Sequence, residues 1–102
     1  EANFITLKTI TADVLYETAP RSEFKGNILM IPSADPGYDW IFSQEIGGFI
    51  TMYGGANSHM AIRAAELGVP AVIGAGELQY NKWTKASKLM IDCAARVVKV
   101  IS

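Results

Sequence analysis

The stretch at 48–74 constrains the fold of this chain more than any other part of the sequence. An apolar run at 48–53, rich in β-branched and aromatic residues, predicts a strand, and the glycine pair at 54–55 predicts a turn directly after it. A second apolar run at 71–74 predicts a short buried strand. Strands that alternate with a helix favour parallel pairing, so the middle of the chain is expected to form a parallel sheet.

Between these two strands the sequence predicts a short helix. Asn57 or Ser58 supplies a side chain that caps a helix N-terminus, while Gly68 followed by Pro70 is typical of a helix end. His59, the only histidine of the chain, falls in the first turn of this helix. The first N–H groups of a helix lack partners and carry partial positive charge, so such a position favours anions and phosphate above all.

The remaining segments complete a mixed α/β pattern. We expect short strands at 4–7 and 13–17, a buried strand at 27–31, a helix from 35–36 to about residue 44, an ambiguous stretch of helical turn and loop at 78–88, and a terminal hairpin at 88–101. The predicted fold class is therefore α/β, with a mixed sheet, short flanking helices, parallel pairing in its centre and all-β pieces at both ends.

Length and composition indicate one domain, spanning residues 1–102. Half of the residues are hydrophobic, so a packed core is expected. A net charge of −1 argues against nucleic acid as a partner, and no apolar run approaches the roughly 20 residues of a membrane span. The single cysteine excludes an internal disulfide, which fits a cytoplasmic location. Because the chain begins without Met and has no nucleotide-binding loop, we expect it to be a fragment of a larger multidomain enzyme.

Helix geometry favours a chemical role for His59 over a buried one. Arg63 and Glu66 fall on the same side of the predicted helix as His59, and apolar residues cover the rest of its circumference. The alternative is an ordinary solvated surface histidine. A metal site is not expected, because one histidine and one distant cysteine cannot supply the three or four ligands that zinc needs.

The segments 54–62 and 66–74 together resemble the phosphohistidine signature of the phosphoenolpyruvate-utilizing enzyme mobile domain. Their sequences are Gly-Gly-Ala-Asn-Ser-His-Met-Ala-Ile and Glu-Leu-Gly-Val-Pro-Ala-Val-Ile-Gly. This family's domain occurs in phosphoenolpyruvate synthase, pyruvate phosphate dikinase and related ATP-dependent dikinases. The resemblance extends from about Gly26 to the end of the chain. It implies a swivelling β/β/α phosphohistidine domain.

The resemblance also implies a function. His59 would be phosphorylated transiently from ATP or phosphoenolpyruvate at one site and would deliver the phosphoryl group to an acceptor at another. This domain itself would bind no cofactor, while ATP and Mg would be held by an ATP-grasp-like nucleotide-binding domain, with the acceptor substrate in a further domain. An imidazole near a helix N-terminus is favoured in its neutral, nucleophilic form, and the same dipole would stabilise the phosphorylated state.

Five further residues are candidates for phosphate binding or support. Gly54 and Gly55 would let backbone approach a ligand, Ser58 would either contact phosphoryl oxygens or only cap the helix, and Arg63 would either reach the phosphate or pair with Glu66. The fifth, Asn57, stands two residues before the histidine and can cap a helix or donate to an anion.

The sequence departs from the family pattern at three positions. Asn57 replaces the usual threonine, Ala65 replaces a common arginine, and Arg63 replaces an apolar residue. These changes leave the acceptor undetermined among pyruvate, an amino acid, an antibiotic and others. The alternative function, from another class, is a degenerate module that binds an anion or a partner domain without forming phosphohistidine.

Overall fold

The computed structural model describes all 102 residues and contains one curled sheet of seven strands. The strands are β1 (Asn3–Ile5), β2 (Thr9–Tyr16), β3 (Ile28–Ile31), β4 (Gly48–Thr51), β5 (Ala71–Ile73), β6 (Lys88–Asp92) and β7 (Val97–Val100). Their order across the sheet is β1-β5-β4-β3-β2-β6-β7. Strands β2 to β5 pair in parallel, whereas β1, β6 and β7 pair antiparallel at the two ends. The predicted mixed sheet with a parallel centre is confirmed.

The central strands are apolar because both of their faces are covered. All four residues of β3 are buried, and they alternate between two hydrophobic clusters on opposite faces of the sheet. Leu29 and Ile31 belong to one cluster, while Ile28 and Met30 belong to the other. Parallel strands that are covered on both sides have this near-continuous apolar composition.

Two α-helices cover the two faces of the sheet. The helix α1 (His59–Leu67) packs against one hydrophobic cluster through Met60, Ala61 and Ala64, and α2 (Gly76–Trp83) packs against the other through Tyr80 and Trp83. Two 3₁₀ helices, Arg21–Glu23 and Pro36–Gln44, complete the elements. None of the helices combines the length and the apolar composition that a membrane-spanning segment requires.

Three predicted elements differ most from the structure, while the bounds of the other strands shift by at most two residues. The segment at 36–44 is helical as predicted, but it is a 3₁₀ helix, capped by Asp35 and ended by Glu45 in the left-handed conformation (φ 56°). The ambiguous stretch at 78–88 contains most of α2. Strand β2 begins at Thr9, four residues earlier than predicted, because its first half pairs with β6 from the other end of the chain.

Candidate functional site

The site begins at the carboxyl ends of the parallel strands, where three turns pack tightly. Gly54 has a φ of 130°, and a Cβ at this position would lie 2.4 Å from the Cβ of Ala34. A Cβ at Gly74 would lie 2.2 Å from the carbonyl oxygen of Gly54. The buried Thr51 hydroxyl ties the turns together, since it donates to the Tyr53 carbonyl and accepts from the Gly74 N–H. Only glycine fits at residues 54 and 74.

The second glycine of the pair does not meet the same constraint. Nothing lies within 4 Å of a Cβ built on Gly55, and its φ is not positive, so a side chain would not strain the turn at this residue. Gly55 instead contributes its carbonyl oxygen, which accepts from the Ser58 hydroxyl at 2.7 Å. Its support of a bound phosphate stays a prediction.

Ser58 is the residue that caps α1. Its side-chain oxygen accepts from the Ala61 N–H at 3.4 Å, while its hydroxyl proton is donated to Gly55. The neighbouring Asn57 is exposed and its side chain makes no hydrogen bond to the chain. Of the two capping candidates, the structure therefore selects Ser58, because its backbone has the extended geometry of an N-cap (φ −70°, ψ 160°).

Several backbone N–H groups around the histidine have no partner in the chain. In the first turn of α1, Met60 donates to the Ala34 carbonyl at 3.3 Å, and Ala61 donates to Ser58. The N–H of His59 remains unpaired, as do those of the residues at 54–57. The donors available to an anion therefore come mainly from the glycine turn, with one from the helix itself.

His59 is the first residue of α1, and its side chain is 36% exposed. The sequence-based expectation that it lies at a helix start and outside the core is confirmed. Its Nε2 atom lies 2.7 Å from Oδ1 of Asp39, in the 3₁₀ helix Pro36–Gln44. This contact joins the imidazole on α1 to an element 20 residues earlier in the sequence.

Asp39 joins His59 to Arg63. The same carboxylate oxygen accepts from Nε of Arg63 at 3.1 Å. Hydrogen bonds from His59 and then from Arg63 hold the pKa of Asp39 below its ordinary value, so this half-exposed carboxyl is negatively charged at neutral pH. Sequence reasoning missed Asp39, because its partners lie 20 and 24 residues away and no local spacing connects them.

Arg63 is engaged by two carboxylates. Besides Asp39 it contacts Glu66 at 3.5 Å, and its guanidinium carbon lies 5.6 Å from the ring centroid of Phe42. Hydrogen bonding to Asp39 raises the pKa of Arg63 above its usual value. The predicted pairing with Glu66 is present, and the contact with a phosphate stays a prediction.

The side of α1 that carries His59, Arg63 and Glu66 is not the only exposed side of the helix. The buried residues of the helix are Met60, Ala61 and Ala64. Ile62 and Leu67, which are among the apolar residues on the rest of the circumference, are about half exposed. The helix is short and only one of its faces meets the sheet, so apolar residues also face outward.

A surface cavity of about 450 Å³ opens beside the histidine. It is lined by residues from the ends of β3 and β4 and from the start of α1, namely Ser33, Ala34, Asp35, Pro36, Tyr53, Gly54, Ser58 and His59. Asp39 is not part of this lining. No group of three or more His, Cys, Asp or Glu side chains is arranged to hold a metal ion.

Cys93 lies outside the site. It is buried in the cluster on the opposite face of the sheet, and burial raises the pKa of its thiol. A protonated and enclosed thiol is a poor nucleophile. Cys93 is therefore a packing residue of this cluster.

The fold and the site together define an α/β domain that presents one histidine at a helix N-terminus, beside a glycine turn with unpaired N–H groups. The family model described as PEP-utilising enzyme, mobile domain matches residues 23–96. The chain belongs to this family.

Relatives with curated names support the same membership. Phosphoenolpyruvate synthase of Aquifex aeolicus is 33% identical over 89 residues, and that of Aeropyrum pernix is 39% identical over 62 residues. The matches cover 86% and 60% of this chain but only 10% and 7% of those proteins. The chain therefore spans a tenth or less of the relatives it matches.

A solved structure supports the fold alone. A UPF0107 protein, determined by solution NMR, superposes with a TM-score of 0.69 at 14% sequence identity. The superposition covers 99% of this chain and 97% of that one.

Proposed function

We propose that this chain is the phosphoryl-carrier domain of a dikinase-type phosphotransferase. In this proposal His59 accepts a phosphoryl group at one site and delivers it to an acceptor at another. The observation that carries the proposal is the partly exposed imidazole at the first residue of α1, next to backbone N–H groups without partners. Those donors and the positive end of the helix dipole favour a bound or covalently attached phosphoryl group.

The reaction divides the transfer of the phosphoryl group from donor to acceptor into two steps. A ring nitrogen of His59 attacks the phosphorus with its lone pair, and the phosphorus–oxygen bond to the donor breaks, leaving the electron pair on the donor oxygen. In the second step an oxygen of the acceptor attacks the phosphorus, and the phosphorus–nitrogen bond returns its electron pair to the ring. The backbone N–H groups stabilise the negative charge of the carried group between the two steps.

The donor and the acceptor are proposed to lie in other domains of the same protein. ATP is the proposed donor, with phosphoenolpyruvate as the alternative, and a bound Mg²⁺ would neutralise the charge on the phosphates. Its ligands are assigned to an ATP-grasp-like domain, because no acidic cluster of this chain is arranged to hold a cation. The much greater length of the relatives supports a larger protein in which residues 1–102 form one cytoplasmic, swivelling β/β/α domain.

One observation favours the alternative of a degenerate binding module. In this structure Nε2 of His59 is hydrogen-bonded to Asp39, and the guanidinium of Arg63 is hydrogen-bonded to the carboxylates of Asp39 and Glu66. A module of this kind would bind an anion or a partner domain through the glycine turn without forming phosphohistidine.

Labelling of the full-length protein separates the two functions. The protein is incubated with ATP carrying radioactive phosphorus at the β or the γ position, and separately with labelled phosphoenolpyruvate. We expect label that is stable in alkali and lost in acid, and we expect His59→Ala to abolish both labelling and turnover. Ala65→Ser, an exposed change on the same helix, is the control that retains both. Undiminished turnover in His59→Ala would leave only the binding module.

A further inference from the structure

The contact between Asp39 and His59 places a fixed negative charge beside the proposed phosphoryl carrier. Oδ1 of Asp39 lies 2.7 Å from Nε2 of the histidine and 3.1 Å from Nε of Arg63. The carboxylate belongs to the 3₁₀ helix Pro36–Gln44 and its two partners belong to α1, so tertiary packing maintains the contact. A charge held in this way acts differently on the free and the phosphorylated ring.

We propose that Asp39 is a positioning residue that raises the phosphoryl-transfer potential of the phosphohistidine formed at His59. This inference rests on the proposed carrier function. In the unphosphorylated state the carboxylate accepts the Nε2–H of the ring and stabilises that state. A phosphoryl group brings between one and two further negative charges to the same ring, and the carboxylate repels them.

Both effects have the same direction. The hydrogen bond favours the free ring when the group is carried on Nε2, and the repulsion disfavours the phosphorylated ring, so the group leaves more readily for an acceptor. The repulsion acts for either ring nitrogen, because both belong to one small ring held beside the carboxylate. If the group is carried on Nε2, it must also displace the carboxylate from its 2.7 Å contact.

Arg63 does not cancel this repulsion. Its Nε donates to Asp39 and its Nη1 contacts Glu66, so one cation faces two carboxylates. The three side chains carry a net charge of −1 when both acids are ionised. Their side chains are between 36% and 60% exposed, so water screens the repulsion and a moderate effect is expected.

The test measures the lifetime of the carried group in the full-length protein. Wild-type protein, Asp39→Asn and Glu66→Gln are labelled to equal levels and freed of donor, and the loss of label is followed without acceptor. We expect the half-life of the label in Asp39→Asn to be about tenfold longer than in wild type, with a higher occupancy at equilibrium with the donor. Glu66→Gln removes a carboxylate of equal charge that does not contact the ring, and because it lets Arg63 offset Asp39 in part, its half-life is expected to lie between those of wild type and Asp39→Asn.

A purely structural role for Asp39 would change the unfolding midpoint but would not prolong the life of the label. An equal or shorter half-life in Asp39→Asn would overturn the inference. Failure of wild type to take label from either biological donor would overturn the carrier function instead. Potassium phosphoramidate, a chemical donor to histidine, then tests the role of Asp39 by itself, with His59→Ala as the blank for label taken up by histidines outside residues 1–102.

Discussion

The two α-helices cover opposite faces of one sheet, but their ends are determined in different ways. Helix α1 begins with the side-chain cap of Ser58 and ends at Gly68 in the left-handed conformation (φ 71°). Helix α2 has no side-chain cap at Ala75, and both flanking residues keep helical geometry. The helix that carries the histidine is therefore delimited by local signals, whereas α2 is not.

The packing of the two helices differs as well. Helix α1 is buried through Met60, Ala61 and Ala64, and the two small alanine side chains allow a close approach of the backbone. Helix α2 is held by two large aromatic residues, Tyr80 and Trp83. Close packing keeps the start of α1 against the strand ends, which a site that must orient one imidazole requires.

The largest effect is expected from the aromatic anchor of α2. Trp83→Ala removes a side chain that is 9% exposed and should lower the free energy of unfolding by about 3–5 kcal/mol. Urea denaturation measures this loss. Leu78→Ala on the same helix, where the side chain is 83% exposed, is the control and should change stability by less than about 0.5 kcal/mol. A similar loss of unfolding free energy in both variants would show that Trp83 contributes no more to stability than the exposed Leu78.

The close approach of α1 is tested by adding volume beneath it. Ala64→Leu inserts three carbons where no surface is exposed and should cost about 1–3 kcal/mol in unfolding free energy. Ala65→Leu places the same side chain on the exposed side of the helix and should be nearly neutral. If Ala64→Leu is tolerated as well as Ala65→Leu, α1 is not held tightly against the sheet.

The difference in N-terminal capping between α1 and α2 predicts a smaller change in the free energy of unfolding. Ser58→Ala should cost about 1 kcal/mol, because the N–H of Ala61 loses its acceptor. Ala75→Ser at the start of α2 should gain nothing, because a helical backbone does not present the side chain as a cap. Thermal unfolding of both variants checks the comparison, and stabilisation by Ala75→Ser would contradict it.

The smallest effect is the acid dependence of the Asp39 contact. Hydrogen bonds from His59 and Arg63 lower the pKa of Asp39 in the folded protein below its ordinary value of 3.8. A lowered folded pKa stabilises the protein fully above the ordinary value, and this contribution is lost as pH falls through the lowered one. Below pH 3.8, urea midpoints of wild type should therefore fall more steeply than those of Asp39→Asn. Parallel pH profiles would mean that the contact does not stabilise the folded state.

The elements that could be predicted from the sequence are those determined by interactions between near neighbours in the chain. The bounds of α1 follow from Ser58 and Gly68, and the parallel centre follows from buried apolar runs that alternate with helices. The α2 segment lacks both signals, since Gly76 opens it and no glycine follows its last residue. Its helical state depends on Tyr80 and Trp83 entering a core that other parts of the chain form.

By itself, the sequence determined that the chain forms an α/β sheet domain and that one histidine begins a short helix, because capping, turn formation and apolar periodicity act between near neighbours. Only the tertiary structure decided what surrounds that histidine. Asp39 reaches it across 20 residues, Ala34 takes one helical N–H, and the strand order brings the turns after β3, β4 and β5 together. These contacts depend on which elements pack side by side, and that is a property of the whole core.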